Sequence, residues 1–124
     1  MARARRRNFP FHNSMFQQIG GLKIGRDMWR CWNIGWPFTR LICQSETLEI
    51  RVFLFGITKI YRFARSEIVA LKTYETAFSR GVVIEHRNEK LPKFIAFEAF
   101  PSRNFAALIE GLERSGYIVA NASE

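Results

Sequence analysis

The chain has 124 residues, 48% of them apolar, with 12 phenylalanines, which fits one domain with an ample core. Two cysteines are too few for a disulfide framework, and no window approaches the roughly 18 apolar residues of a membrane-spanning helix. The net charge is +8, yet residues 1–35 hold seven basic residues against Asp27 alone, so the excess belongs to the N-terminal part and not to the body.

Residues 1–14 lack periodicity. Arg3, Arg5, Arg6 and Arg7 repel one another, and Pro10 and Asn13 oppose a helix, so a flexible basic arm is expected. Those four arginines are candidate contacts for an anion or an anionic lipid; the plainer reading is a solubilising end. A basic start can imitate a signal peptide or a transit peptide. No apolar run of about 7–15 residues comes after it, and no helical stripe accompanies it, so the cytoplasm is the expected compartment, with a peripheral place at a membrane as the alternative.

Residues 15–35 form a flank rich in Gly and Trp. Met15, Phe16 and Ile19 have the i, i+3, i+4 spacing of one or two helical turns, and Gly20, Gly21 and Gly25 punctuate the middle of the flank. Met28, Trp29, Trp32 and Ile34 are too apolar to leave in water, and the expectation is that they cover one end or edge of the sheet. Trp29, Trp32 and Trp36 are a candidate partner surface if exposed and a plain core cover if buried.

The body is expected over 36–120, with 121–124 as a frayed tail. Residues 36–44 read as its first strand, with Pro37 at the start, where a missing N–H does no harm. The clearest pattern lies at 47–55: Leu48, Ile50, Val52 and Leu54 alternate with Glu49 and Arg51, marking a sheet with one face on a core. Gly56 punctuates a hairpin, and further strands are read at 57–63, 68–74, 81–86 and 93–100. The period then changes. Phe105, Leu108, Ile109 and Leu112 form one apolar stripe on a helix over 103–115, with Ser102 as N-cap and Gly116 as its left-handed stop. About six or seven short strands and then a helix is an α+β order, and the sheet should curl into a barrel that the helix closes.

Chemical motifs are sparse. Cys31, Cys43, His12 and His86 lack metal-ligand spacing, and there is no phosphate-binding glycine loop. Glu85 beside His86 could make a general base, but a strand-end histidine at a turn explains the pair. No catalytic residue, cofactor or metal is therefore expected. Lys59, Arg62 and Arg65 interleave with Tyr61 and Phe63; such a strand could stack bases and hold phosphates, or present charges to solvent with the rings inward.

Several segments together resemble the pleckstrin-homology-like (PH-like) fold, an antiparallel split barrel closed by a C-terminal helix, as in small bacterial PH-like domain proteins of unknown function. They are Trp36-Pro37-Phe38-x-Arg40-Leu41, Leu48 with Phe55-Gly56, Phe63-x-Arg65-Ser66-Glu67-Ile68, Phe78-Ser79-Arg80-Gly81, Gly81-Val82-x-Ile84-x-His86, Pro92-x-Phe94-Ile95-x-Phe97 and Leu108-x-x-x-Leu112-x-x-x-Gly116-Tyr117. The basic first hairpin of phosphoinositide-binding members is not matched: Arg40 and Arg51 are present, but Phe53 replaces a basic residue and the turn Gln44-Ser45-Glu46-Thr47 is acidic. The resemblance implies a non-enzymatic interaction module with a protein partner, which is the first expectation. The basic residues leave two alternatives, an anionic membrane reached through Arg3–Arg7 second and nucleic acid bound by the arm and the strand from Lys59 to Arg65 third.

Overall fold

The structure, a computed structural model, describes residues 15–27 and 30–121. The expected arm with Arg3, Arg5, Arg6 and Arg7, the candidate Trp29, and most of the frayed tail lie outside the described residues. The strands are β1 (Phe16–Asp27), β2 (Arg30–Cys43), β3 (Thr47–Leu54), β4 (Ile57–Ala64), β5 (Ile68–Glu75), β6 (Arg80–His86), β7 (Phe94–Ala99) and β8 (Val119–Asn121), with one helix, α1 (Phe105–Arg114). They form one sheet in the order β4-β3-β2-β1-β7-β6-β5-β8. Every pairing is antiparallel except that of β8 with β5. The α+β order is as expected, but two expectations are corrected. The described residues form eight strands, not six or seven, and the sheet does not close into a barrel: β4 and β8 are its ends.

The extra strand comes from the flank, whose described residues, 15–27 and 30–35, are neither helical turns nor a loose cover. They build β1 and the first half of β2. Leu22 and Ile24 point inward and are buried, while Gln17 and Ile19 point outward. The helical spacing of Met15, Phe16 and Ile19 is overridden by pairing along both edges of β1. Gly20 marks a close approach and not a turn: a Cβ there would sit 2.2 Å from the carbonyl oxygen of Glu98 on β7.

The strand expected to begin at Trp36 is only the second half of β2. The β1–β2 register jumps from Gly20 opposite Thr39 to Leu22 opposite Ile34, so residues 35–38 loop out of the ladder. Pro37 is tolerated inside a long strand because this bulge removes it from the hydrogen-bond pattern. The two cysteines stand near opposite ends of β2, opposite Gly25 and Phe16 and so about 30 Å apart along the sheet, and are not bridged.

The lower half of β1 continues through β2, β3 and β4; its upper half pairs with β7 and leads to β6, β5 and β8. The inner faces of both halves supply the core, including Leu41, Ile50 and Phe63 from one and Leu22, Ile84 and Phe97 from the other. Helix α1 covers this core with the expected stripe: Leu108 and Leu112 are buried, and Phe105 and Ile109 pack at its margin. Each buried leucine is worth about 2 kcal/mol. Ser102 does not cap the helix. It opens a short 3-10 turn, and the N-cap is Asn104, whose side-chain amide turns back to the Phe100 carbonyl (3.3 Å). The C-terminus of the helix is as expected. Gly116 has φ +97°, its N–H reaches Glu113 O (3.0 Å), and the Tyr117 N–H reaches Leu112 O (3.0 Å), the paired bonds of a Schellman motif.

Arg65, after β4, fastens the helix end to the sheet. Its guanidinium donates to the carbonyls of Ser45 (2.8 Å) and Gly116 and lies 4.6 Å from the centre of the Tyr117 ring. Tyr117 itself is buried, which pushes its pKa to about 12. Arg65→Ala is expected to lower stability by about 1.5 kcal/mol in urea unfolding, and Arg65→Lys to recover little, because one ammonium cannot serve two diverging carbonyls and stack on a ring. Full recovery by lysine would show that only the charge matters.

Candidate docking surface

The outer face of β2, β3 and β4 is unlike a solvated sheet surface. Pairing sets Arg40, Arg51 and Ile60 in one row and Ile42, Glu49 and Arg62 in the next. Phe53 lies on the same side as Glu49 and Arg51, because side chains alternate along a strand. The bulge in β2 puts Trp36 and Phe38 outside as well. Trp36 is 51% exposed, Phe38 46% and Phe53 56%. Trp36 packs against Phe100, with ring centres 5.7 Å apart, beside an open cleft of about 510 Å³ that Arg40, Gln17 and Gln18 also line.

The charges on this face are unbalanced. Glu49, only 7% exposed, is held by Arg51 (3.2 Å) and Arg62 (3.3 Å). Arg40 stands directly opposite Arg51 and bonds the amide oxygen of Gln17 (3.2 Å); among the described residues no carboxylate pairs with it. Like charges directly opposite on a sheet repel. One carboxylate thus answers three guanidiniums.

The β3–β4 hairpin ends in a two-residue turn, with Leu54 opposite Ile57. Phe55 has φ +53° and Gly56 φ +76°, the double positive φ of a type I′ turn. That geometry suits Asn-Gly. A phenylalanine there costs about 1–2 kcal/mol, yet Phe55 is 96% exposed and gains no packing in return. Ile57 beside it is 68% exposed. The hairpin is tipped with apolar side chains, with Arg51 behind them on the outer face and Lys59 behind them on the other.

The residues singled out from sequence do not gather at one place. Trp36 belongs to this surface. Trp32, strongly exposed, lies on the other half of β2 opposite Ile24. Lys59 lies 5.7 Å from the centre of the Tyr61 ring, Arg62 clamps Glu49, and Arg65 serves the helix end. Phe63 is fully buried, so its ring cannot stack on a base. Sequence reasoning missed Phe38, Phe53, Phe55 and Ile57. One signal was available: Phe53 falls on the charged side of the alternation in β3.

His86 has both ring nitrogens engaged. Nδ1 accepts the Asn88 N–H (3.1 Å), which leaves Nε2–H to donate to the Pro92 carbonyl (2.8 Å), so the ring ties down the turn after β6. Burial pushes the Cys43 thiol up to about 11. Among the described residues no three His, Cys, Asp or Glu side chains are placed to hold a metal ion, and no helix is long and apolar enough to cross a membrane. No protein-family model matches the chain, and no curated protein does. The fold and this surface define a class: an α+β protein with a folded-over eight-stranded sheet, one covering helix and an aromatic, basic outer face.

Proposed function

We propose that the chain is a non-enzymatic binding module of the PH-like, split-barrel kind, and that it docks through the outer face and tip of the β3–β4 hairpin. The PH-like reading is supported by seven antiparallel strands and then a C-terminal helix that packs on both halves of a bent sheet. The observation that carries the docking reading is that the exposed Phe38 and Phe53 line one cleft with Arg40 and Arg51 on the outer face, and that Phe55 is exposed at the tip next to it. Scattered exposed hydrophobics are ordinary, but a contiguous group marks an interaction site. The free edge of β4 is a weaker docking element, since Lys59 and Arg62 along it discourage strand addition.

The test is retention of the purified full chain on the soluble and membrane fractions of a cell homogenate. The wild type should be retained on one of them, and Phe38→Ser/Phe53→Ser, with an unchanged circular dichroism spectrum, should be lost from it. Equal retention of the two proteins, or none of either, overturns the reading.

A further inference from the structure

The geometry points to the occupant of this surface: an anionic lipid bilayer, into which the β3–β4 tip inserts Phe55. This rests on the docking reading above and names its partner. Three observations favour a bilayer over a protein.

The first is shape. Phe55 sits at the apex of a two-residue turn and is 96% exposed. A projecting tip needs a matching pocket in a protein partner, whereas a bilayer accepts it without one.

The second is the spacing of apolar and basic side chains. Behind the last rung of the hairpin, Leu54 with Ile57, Lys59 stands two rungs back and Arg51 three, on opposite faces of the ribbon. At about 3.4 Å per residue these are about 7 and 10 Å. Amphipathic elements sink about 5–10 Å into the boundary between headgroups and acyl chains, and each headgroup layer is about 5–8 Å thick. Immersing Phe55 and Ile57 to that depth leaves Arg51, Lys59 and, beside Arg51, Arg40 at the level of the lipid phosphates.

The third is charge complementarity. Residues 50–63 contain three basic side chains and no acidic one. Glu49, the nearest carboxylate on this face, is occupied by Arg51 and Arg62. The facing pair Arg40 and Arg51, costly in isolation, is relieved by an anionic surface. The φ of +53° at Phe55 fits the same picture, since the strained aromatic is kept where it can only be used outward.

The decisive variant is Phe55→Asn. Asparagine suits a positive φ, so this protein should fold as well as the wild type or better, while losing the inserted ring. Full-length proteins are sedimented with vesicles of phosphatidylcholine alone and of phosphatidylcholine containing phosphatidylserine. The wild type should bind the anionic vesicles and not the neutral ones, and added salt should weaken binding. Phe55→Asn should bind about tenfold more weakly or worse, and Phe55→Trp should retain binding. Arg40→Gln/Lys59→Gln should also bind less. A wild type that ignores the anionic vesicles overturns the proposal. So does equal binding by Phe55→Asn, or loss confined to a chain with Arg3, Arg5, Arg6 and Arg7 changed to glutamine. If vesicle binding fails while Phe38→Ser/Phe53→Ser still abolishes retention on the homogenate, the docking surface stands and its partner is a protein.

Discussion

Gly81→Ala is expected to cost at least about 3 kcal/mol, a large share of the roughly 5–15 kcal/mol that holds a domain of this size together. Gly81, the second residue of β6, lies between Tyr74 on β5 and Glu98 on β7. A Cβ at this position would lie 2.1 Å from the Phe97 carbonyl oxygen, 2.9 Å from the Glu98 Cα and 2.7 Å from the Tyr74 ring. Two of those atoms are backbone of a strand paired on both sides, so they cannot swing away as a side chain would. The methyl group must break rungs between β6 and β7 or displace β7 from β1. The expected result is poor soluble yield, or a urea midpoint far below the wild type with the same slope. A midpoint close to the wild type would show that the strands separate more readily than their packing implies.

Phe63→Ala is the second large effect, expected at about 3–5 kcal/mol. Phe63, next to last in β4, is fully buried, and its ring centre lies 4.9 Å from that of His86. The cavity would open where the two halves of the sheet meet under the helix, and His86 would lose the ring that backs it. Phe63→Leu should recover most of the loss. The same pair of variants also bears on nucleic acid as a partner: a buried ring affects stability, and any binding that survives in the folded Phe63→Leu protein does not depend on stacking at this position.

The alternation of Leu48, Ile50 and Val52 with Glu49 and Arg51 was legible because β3 packs one face on the core and its neighbours in sequence are its neighbours in space. The helix was legible for the same local reason: Leu108 and Leu112 fix one stripe, and Gly116 takes the positive φ its position suggests. β1 was not. Its glycines look like turn residues until β7, from the far end of the chain, is placed against them. Arg65 likewise reads as a surface charge until the carbonyl of Gly116, 51 residues away, arrives beside it. The docking surface was hidden for a different reason. Phe38 and Phe55 owe their exposure to a bulge and a turn, both set by backbone geometry, while periodicity assigns an aromatic in a strand to the core by default.

The pairing of β1 with β7 also sets the order in which the protein can assemble. Strands β1 to β4 form a meander of neighbouring hairpins, which can zip up while the rest of the chain is still being synthesised. The other edge of β1 must wait for Phe94–Ala99, because Gly20 pairs with Ala99 and Gly25 with Phe94. The helix comes later still, and with it Gly111, which seats against the Phe16 ring. Joining ends so far apart in sequence is slow, and an edge left bare in the meantime invites pairing with another chain. A nascent chain of this protein therefore carries its most adhesive edge from early in translation until almost all of the domain has left the ribosome.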